Sequence, residues 1–454
     1  MVAALVQQFV EDRLRTGAPL GGTASASDLR LALGETITEE GLGADEAFRR
    51  FAQVVVPASI GLDSSRFLAF IPAAPTAVST LFDAVVSACS FSGESWLEAA
   101  GPVHAENEAL RFLAGLLDLP SDAGGCFVSG GSAGNLSALA VARDLAGRGP
   151  DGEEARTAGP VRVAVGDTAH ASVENALALL GVRPLVVPTG ADGVLTGAAL
   201  DATLAELGPE AGVSAVVASA GSTNAGVIDD LAGLADVSRS RGLWLHVDGA
   251  YGAAALLSPP LRRRFEGIGE ADSVIVDPHK WLFGPLDCCA LLYRQPELAR
   301  AVHTQHAPYL DALRDDGSWN PADHAFHLTR RARGLPFWFS LSVHGVAAYR
   351  AAVEAGLALA ARTADRVRAI GPPVELVLAP MLSVVLFRRR GWTDRDWRRW
   401  STGLLADGVA FVTPTRWKGE VVGRLVFLHP DTDPGVVDEV LARLSRPGDR
   451  VRRG

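Results

Sequence analysis

The segment "VIVDPHKWLF" (residues 274–283) joins an apolar run with the length of a buried strand to a short polar motif. Its lysine, Lys280, is one of two lysines in a chain with 42 Lys and Arg residues in total, and the other is Lys418. Lysine can be desolvated and deprotonated to act as a nucleophilic amine, whereas arginine keeps its proton. The segment therefore suggests a covalent role for Lys280. A surface lysine that escaped replacement by arginine is the alternative on this segment alone.

Similar apolar runs alternate with helical patterns through the middle of the chain, which predicts an α/β fold. Continuous apolar runs separated by helices are typical of a mostly parallel sheet that is buried on both faces. The clearest runs are "GCFV" (125–128), "RVAVGD" (162–167), "SAVVASA" (214–220), "LWLHVD" (243–248) and "CCALLYR" (288–294). Ligands bind at the carboxyl ends of the strands in such sheets. The polar motifs of this chain fall at those ends.

The pattern divides the chain into three regions. Residues 1–75 alternate short helical patterns with Gly-, Ser- and Thr-rich breaks, and we expect a helical arm with little core of its own. Residues 76–345 carry the α/β pattern and form the predicted large domain. Residues 346–454 begin and end with helical patterns around two strand-like runs, which predicts a small α+β domain.

The composition is that of an ordinary globular protein and argues against several functions. A net charge of −10 disfavours nucleic acid or an anionic membrane as the main partner. The four cysteines lack the spacing of a metal site or a disulfide framework, which indicates buried thiols in a reducing compartment. The N-terminus lacks the basic region of a signal peptide, and no stretch has the roughly 18 apolar residues that span a bilayer. We therefore expect a cytoplasmic location.

The segment "FVSGGSAGNLSAL" (127–139) runs from a strand through a glycine-rich turn into a helix. We expect the backbone N–H groups of Ser132, Ala133 and Gly134 to be free at the helix start, beside the positive end of the helix dipole. Such a turn is a phosphate site in principle, although its glycine spacing is neither that of a P-loop nor that of a GxGxxG fingerprint. A turn that is rich in glycine and serine for steric reasons alone is the alternative.

Other polar residues also follow strand-like runs. Asp248 ends the run "LWLHVD", where a carboxylate needs a cation such as a protonated ring nitrogen, and a helix-cap or turn aspartate is the alternative. His170 lies at another strand-to-helix junction, where a lone histidine is more often a capping or core residue than a catalyst. Ser222 and Thr223 offer hydroxyl donors after a further strand, and the small Ala250 leaves room for a flat ring.

These motifs together match the needs of one cofactor. An anion-binding turn, a histidine, a strand-end aspartate and a lone lysine occur in that order, and Asp248 and Lys280 lie 32 residues apart on separate strands. Pyridoxal 5′-phosphate needs a phosphate anchor, a group that stacks on the ring, a carboxylate that keeps the pyridine nitrogen protonated and an amine for the Schiff base. The sequence therefore predicts this cofactor.

The motifs "DPHKWL", "AHASVENA", "HVDGAYG", "SGGSAGN" and "RARGLPFWFSLSVHG" also carry a resemblance to a known family. From about residue 45 to the C-terminal helix, the chain resembles the group II pyridoxal-phosphate-dependent amino-acid decarboxylases of the aromatic-L-amino-acid and glutamate decarboxylase type. The resemblance implies a fold type I, aspartate-aminotransferase-like large domain. It also implies a homodimer with active sites at the subunit interface.

The resemblance assigns roles by position. Lys280 would form the aldimine, Asp248 would face the pyridine nitrogen, and His170 would stack on the ring and orient the substrate carboxylate. The residues implied in phosphate binding are Ser132, Ala133, Gly134 and His279, and those implied beside the ring are Thr223 and Ala250. Tyr309 lies in the polar segment 303–333, which would close over the substrate. Its hydroxyl would assist protonation of the quinonoid carbon after CO₂ leaves.

The implied substrate pocket is apolar. Phe70 and Pro72 match the aromatic branch of the family, and the glutamine with which the glutamate branch holds an acidic side chain is missing. Ser64 and Ser65 stand where the family often has His-Pro. Trp96 falls near the position of a smaller ring in the aromatic branch, and its indole would shrink the pocket. We therefore expect an aromatic or other hydrophobic amino acid as substrate, with a compact aliphatic one still open.

The implied reaction is decarboxylation of an L-amino acid to its amine and CO₂, and three alternatives stand beside it. Aldehyde synthases of the same family consume O₂ and typically have Phe in place of the loop tyrosine, so Tyr309 favours simple decarboxylation. A desulfurase or other fold type I lyase is disfavoured because no cysteine lies on a plausible mobile loop. A non-catalytic homologue is disfavoured because it has no reason to keep Lys280, Asp248, His170 and Tyr309 together.

Overall fold

The computed structural model describes residues 2–72, 74–147, 161–208, 211–313 and 317–445. The chain forms two compact units. The central unit consists of Pro75–Ala355 and Pro380–Leu382, and the terminal unit consists of Met1–Ala74, Gly356–Ala379 and Ser383–Gly454. The terminal unit thus combines both ends of the chain. The three-region division with boundaries near residues 75 and 345 stays a prediction.

The elements alternate along the central part of the chain. The helices are α1 (Val2–Thr16), α2 (Ala26–Leu33), α3 (Ala44–Arg50), α4 (Ala77–Cys89), α5 (Trp96–Leu116), α6 (Gly131–Ala146), α7 (Ala171–Leu179), α8 (Gly197–Leu207), α9 (Leu231–Arg241), α10 (Pro296–His303), α11 (Leu335–Ile370), α12 (Asp394–Ala406) and α13 (Pro434–Ser445). The strands are β1 (Gly124–Val128), β2 (Arg162–Gly166), β3 (Arg183–Val187), β4 (Val213–Ser219), β5 (Trp244–Asp248), β6 (Ser273–Val276), β7 (Cys289–Tyr293), β8 (Val374–Leu376), β9 (Val384–Arg389), β10 (Thr415–Trp417) and β11 (Glu420–Val426).

The central unit is built on a seven-stranded sheet with the order β1-β7-β6-β5-β4-β2-β3. Neighbouring strands from β3 to β6 are parallel, and β7 runs antiparallel to both β1 and β6. Strands β6 and β7 are buried along their whole length, as continuous apolar runs require when helices cover both faces. The predicted mostly parallel α/β sheet is therefore confirmed.

Helix α6 shows how closely the helices approach this sheet. Its residues Ala138, Leu139 and Ala142 are buried in the core cluster that also contains Ile275 of β6. A Cβ atom added at Gly134 would lie only 2.7 Å from Cγ2 of Ile275. Glycine at this position therefore allows the first turn of α6 to lie against β6, and this contact fixes where the helix begins at the sheet edge.

The terminal unit contains a four-stranded antiparallel sheet with the order β10-β11-β9-β8. Phe387 of β9 and the α12 residues Trp397, Trp400 and Leu404 are buried in its core. The α+β pattern expected for the C-terminal part of the chain is confirmed. Helices α1, α2 and α3 bury no residue fully, in line with the expectation of little core there. Among the described helices, none is both long and apolar enough to cross a bilayer.

Candidate active site

A cavity of about 310 Å³ opens at the carboxyl ends of β4, β5 and β6, beside the start of α6. The residues that line it are Ser129, Gly130, Gly131, Ser132, Asn135, His170, Ser172, Ser219, Gly221, Ser222, Thr223, Asp248, Ala250, Tyr251, Asp277, His279, Lys280 and Leu286. This is the edge at which a parallel sheet binds ligands. The expectation that the polar motifs converge at strand ends is met by Ser132, His170, Thr223, Asp248 and Lys280.

Lys280 lies in the turn after β6 and forms an ion pair with Asp277. The Lys280 Nζ to Asp277 Oδ2 distance is 2.7 Å, and the Asp277 side chain is 1% exposed. Burial lowers the pKa of Lys280, but the charges of Asp277 and Asp248 outweigh burial and leave it above the ordinary value. Burial likewise raises the pKa of Asp277, and Lys280 and His279 outweigh it, so the net pKa is lowered. Each group therefore stabilises the charged form of the other inside the protein.

His279 lines the cavity from the same turn. Its Nδ1 lies 2.6 Å from the backbone oxygen of Cys288. A protonated Nδ1 donates to this oxygen, and an unprotonated Nδ1 accepts the backbone N–H of Cys288, which lies 3.3 Å away. The other ring nitrogen, Nε2, lies 3.7 Å from Asp277 Oδ2. The ring also faces the glycine-rich turn, because a Cβ atom on Gly130 would lie 3.9 Å from Cε1 of His279.

Asp248 is held at the end of β5 by two N–H donors. The side-chain amide of Asn135 donates to Oδ2 over 3.1 Å, and the backbone N–H of Ala250 donates to Oδ1 over 3.2 Å. Asn135 itself is fully buried on α6. These contacts orient the carboxylate at the cavity wall, where it can accept a hydrogen bond from a protonated ring nitrogen.

Behind Asp248, a chain of buried hydrogen bonds fixes Asn135. His246 Nε2 lies 2.8 Å from Asn135 Oδ1 and therefore donates to it. His246 Nδ1 then accepts from the hydroxyl of Ser273 at 2.8 Å, and the indole N–H of Trp244 donates to the same hydroxyl oxygen. Burial lowers the pKa of His246 to about 4. The ring is thus neutral near pH 7, with its proton on Nε2.

His170 is both a helix cap and a cavity residue. Its Nδ1 accepts the backbone N–H of Ser172 at 3.2 Å at the start of α7, so the capping alternative describes its local geometry. The same ring lines the cavity. The hydroxyl of Ser172 lies 2.8 Å from His170 Nδ1 and accepts from Asn135 Nδ2 at 2.9 Å. Asn135 therefore links His170 to Asp248.

The glycine-rich turn differs in one respect from expectation. The N–H groups of Ala133 and Gly134 both donate to the backbone oxygen of Gly130, at 3.0 and 3.1 Å. The expectation that these two groups are free is therefore wrong. The reason is that the fourth N–H of a helix already bonds to the N-cap residue, and the third does so here in a tighter turn. Gly131 and Ser132, the first two residues of α6, are the helix-start residues that line the cavity.

Six of the predicted site residues do not line this cavity. Two of them, Ala133 and Gly134, are the helix residues whose N–H groups bond to Gly130. Tyr309 is 74% exposed in the short 3₁₀ segment Pro308–Leu313. Trp96 begins α5, and its backbone N–H donates to Asn320 Oδ1. Phe70 and Pro72 belong to the terminal unit, where Phe70 packs near Phe411. Their roles stay predictions, and residues 314–316 of the predicted closing loop lie outside the described residues.

The structure adds site residues that had no role in the sequence-based prediction. They are Asn135, Ser172, His246, Asp277 and Leu286. Asn135, Ser172, His246 and Asp277 stood inside quoted motifs. A polar residue in an otherwise apolar helix face or strand is the signal that marks Asn135, His246 and Asp277. The local sequence does not show what His246 contacts, because its partner Asn135 lies 111 residues earlier in the chain.

The donor set fits pyridoxal 5′-phosphate. A Cβ atom on Gly131 would lie 3.3 Å from Asp277 Oδ2 and 3.4 Å from Cβ of Ala250, so glycine keeps this floor of the cavity open. Hydroxyl groups and the α6 N-terminus suit a phosphate, the Lys280 amine suits an aldehyde, and the Asp248 carboxylate suits a protonated pyridine nitrogen. Fold and site together define a pyridoxal-phosphate enzyme of fold type I.

Comparisons with known proteins place the chain more narrowly. The sequence model of the pyridoxal-dependent decarboxylase conserved domain matches residues 28–390, and the chain belongs to this family of pyridoxal-phosphate-dependent amino-acid decarboxylases. It is 31% identical over 452 residues to an aromatic-L-amino-acid decarboxylase of Bacillus atrophaeus, covering 95% of this chain and 91% of the relative. It is 33% identical to an L-2,4-diaminobutyrate decarboxylase of Rhizobium meliloti, covering 81% and 74% of the two chains.

Solved structures agree with this assignment. The crystal structure of Oryza sativa TDC with pyridoxal 5′-phosphate and tryptamine superposes with a TM-score of 0.90 at 25% identity, covering 98% of this chain and 96% of that one. The fold type I architecture and the cofactor expected from the sequence are therefore confirmed.

Proposed function

We propose that this enzyme decarboxylates an L-amino acid with an aromatic or other hydrophobic side chain to the corresponding amine. The observation that carries the proposal is the convergence of Lys280, Asp248 and His170 on one cavity. The similarity to an aromatic-L-amino-acid decarboxylase over 95% of this chain supports the substrate class. Bound pyridoxal 5′-phosphate supplies the electron sink for the electron pair left on Cα when CO₂ departs.

The protein's own groups prepare that step. Lys280 would provide the amine that holds the cofactor until the substrate amine takes its place. Asp248, fixed by Asn135 and Ala250, would keep a proton on the ring nitrogen, and Ser132 with the start of α6 would hold the phosphate. His170, which lines the cavity, would stack on the ring and orient the substrate carboxylate. We assign protonation of Cα to Tyr309. Its hydroxyl would reach the cavity either when the segment that carries it closes over the substrate, or from the second subunit of a dimer.

The cavity lining supports a substrate without an acidic side chain. Within the described part of the chain, the lining contains Lys280 as its one Lys or Arg residue, and that charge is paired with Asp277. Leu286 adds an apolar side chain at the wall. An acidic side chain would lose its hydration there without gaining a cation. The similarity to diaminobutyrate decarboxylases makes a diamino acid the competing substrate class.

The two lysines of this chain allow a direct test of the function. Lys280→Ala removes the amine, and Lys418→Ala is the matched control, because Lys418 is exposed beside Trp417 in the terminal unit. We expect Lys280→Ala to lower turnover by a factor of about 10³ or more, with Lys418→Ala unchanged. Borohydride reduction followed by mass spectrometry should place the cofactor on Lys280 only. Labelling of Lys418, or none at all, would contradict the proposal.

The same protein separates the competing reactions. An amino-acid panel with aromatic, branched aliphatic, diamino and acidic members is incubated with the enzyme, and CO₂, amine, aldehyde and peroxide are measured. Amine and CO₂ in equal amounts from an aromatic or aliphatic member support the proposal. Formation of aldehyde with consumption of O₂ would show that the enzyme is an aldehyde synthase. Exclusive use of a diamino acid would show that the proposed hydrophobic substrate class is wrong.

We also propose a homodimer as the working assembly. Leu81 and Val85 of α4 lie one helical turn apart and are 50% and 49% exposed, and Leu97 at the start of α5 is 66% exposed. An exposed apolar group of this kind is typical of a subunit contact. The exposed position of Tyr309 outside the cavity also suits a site that is completed by a second copy of the chain.

A further inference from the structure

Asp277 is a buried carboxylate to which the proposed reaction gives no role. It ends the apolar run of β6, its side chain is 1% exposed, and its Oδ2 lies 2.7 Å from Lys280 Nζ. A second acid, Asp248, already serves the ring nitrogen in the proposed function. Burying an ionised carboxylate is costly, because its hydration is lost and must be replaced by a partner charge. A buried carboxylate therefore calls for an explanation.

The groups around this pair identify which charge acts on Lys280. Asp277 faces Lys280 and His279 from its own turn, Cys289 from β7 and the backbone of Gly131 from α6. Burial raises the pKa of the Cys289 thiol well above its ordinary value, so this group is neutral. His279 Nε2 lies farther from Asp277 Oδ2, at 3.7 Å. Lys280 is therefore the main partner of the Asp277 charge.

Seen from Lys280, Asp277 is also the nearer of two acids. The Asp277 oxygen is within hydrogen-bond distance of Nζ, whereas Asp248 is turned to Asn135 and to the backbone N–H of Ala250. Of the two carboxylates, Asp277 makes the larger contribution to the raised pKa of Lys280. Removing Asp277 would leave the lysine nitrogen in a buried site with its closest negative charge gone.

We propose that Asp277 is the counter-ion of the Lys280 nitrogen and sets the pH range over which that nitrogen carries a proton. This holds for the free amine and for the nitrogen linked to the cofactor, so the inference rests on the proposed covalent role of Lys280. A protonated C=N linkage is the more electrophilic form toward a substrate amine. Asp277 is thus a positioning and charge-setting residue, which acts on the reaction through Lys280.

The test is a spectroscopic pH titration of the holoenzyme. Asp277→Asn keeps the size of the side chain and removes its charge, and Asp277→Glu keeps the charge. Asp287→Asn is the matched control, because Asp287 lies ten residues further on, is half exposed and pairs with Arg333. The readout is the pH at which the visible band of the protonated linkage is half lost.

We expect Asp277→Asn to lower this midpoint by about 1 to 3 pH units, as the loss of an adjacent opposite charge does. Asp277→Glu and Asp287→Asn should stay near the wild-type midpoint. If Asp277→Asn does not retain cofactor, Asp277→Ser is titrated in the same way. An unchanged or raised midpoint in the neutral variant, with the cofactor still trapped on Lys280 by borohydride, overturns this inference alone. Absence of trapping on Lys280 in the wild type overturns the proposed function and this inference with it.

Discussion

The position of Asp248 depends on residues that never touch the cavity contents. Trp244, Ser273 and His246 form a buried hydrogen-bonded row that ends on Asn135, and Asn135 donates to Asp248. Each donor and acceptor in the row has a partner, and such a satisfied network fixes one orientation of the amide. The alternation along β5 places Trp244, His246 and Asp248 on the same side of the strand. A strand that carries a site residue at its end therefore carries the supporting residues two and four positions earlier.

The neutral state of His246 makes this row sensitive to acid. Its pKa is lowered by burial from 6.5 to about 4 in the folded protein. Since the unfolded chain binds this proton near pH 6.5 and the folded protein only near pH 4, lowering the pH through this window stabilises the unfolded state. We expect the protonation of His246 to lower the free energy of unfolding by about 1 kcal/mol between pH 7.5 and pH 5.5.

The variant His246→Gln isolates this contribution, because glutamine stays neutral at both pH values. It should be less stable than the wild type at pH 7.5, since the hydrogen-bonded row is disturbed, but its loss between pH 7.5 and 5.5 should be smaller by about 1 kcal/mol. Urea denaturation at the two pH values measures both quantities. Burial raises the pKa of Asp229 to about 7, so lowering the pH favours the folded state at this group. This contribution is present in the wild type and in the variant, and it cancels in the comparison. Equal pH dependence of the two proteins would contradict the role given to His246.

Sequence reasoning at the residue scale succeeded where a residue type is rare or misplaced. Lys280 stood out because arginine supplies nearly all the positive charge, and Asp248 because it follows an apolar strand. Asn135 and His246 did not stand out, since their contact spans 111 residues and only the assembled sheet brings them together. The prediction of free N–H groups at Ala133 and Gly134 is wrong, because a glycine-rich turn does not show at which residue the helix begins.

At the scale of elements, the close contact of α6 with β6 positions the start of the helix at the cavity. A Cβ atom on Gly134 would lie 2.7 Å from Ile275 Cγ2, a distance that real Cβ contacts do not show. Gly134→Ala should therefore destabilise the protein by about 1–3 kcal/mol through overpacking. It should also weaken cofactor retention, because α6 must move away from the sheet.

Gly115→Ala is the matched control for this prediction. Gly115 lies in α5 of the same unit and has no atom within 4 Å of an added Cβ. There the substitution should be neutral or stabilise the helix by up to about 1 kcal/mol. Thermal denaturation and the fraction of cofactor kept after gel filtration are the measurements. Equal stability of the two variants would show that the helix does not depend on this close contact.

The alternation of elements was predictable because buried strands and amphipathic helices leave different periods in the sequence. The strand order was not, since β7 inserts between β1 and β6 and runs antiparallel to both. An apolar segment does not show which strand it will pair with in the sheet.

At the scale of the whole molecule, the grouping of both chain ends in the terminal unit was not readable from the sequence. The contacts that join them, such as the aromatic pair Phe67 and Phe411 and the hydrogen bond from Arg424 to the backbone oxygen of Phe70, link residues more than 340 positions apart. Composition shows where a segment has little core, but it does not show which distant segment covers it.

The proposed homodimer can be tested at the exposed apolar face of α4. The double variant Leu81→Asp, Val85→Asp puts two charges on the exposed apolar face of this helix, where burial against a partner would cost several kcal/mol. Light scattering should give the wild type twice the chain mass of 47.5 kDa and the double variant the mass of a single chain. Leu179→Asp, on the exposed face of α7, is the control and should remain dimeric. A monomeric wild type would contradict the dimer, and a dimeric double variant would move the interface away from α4.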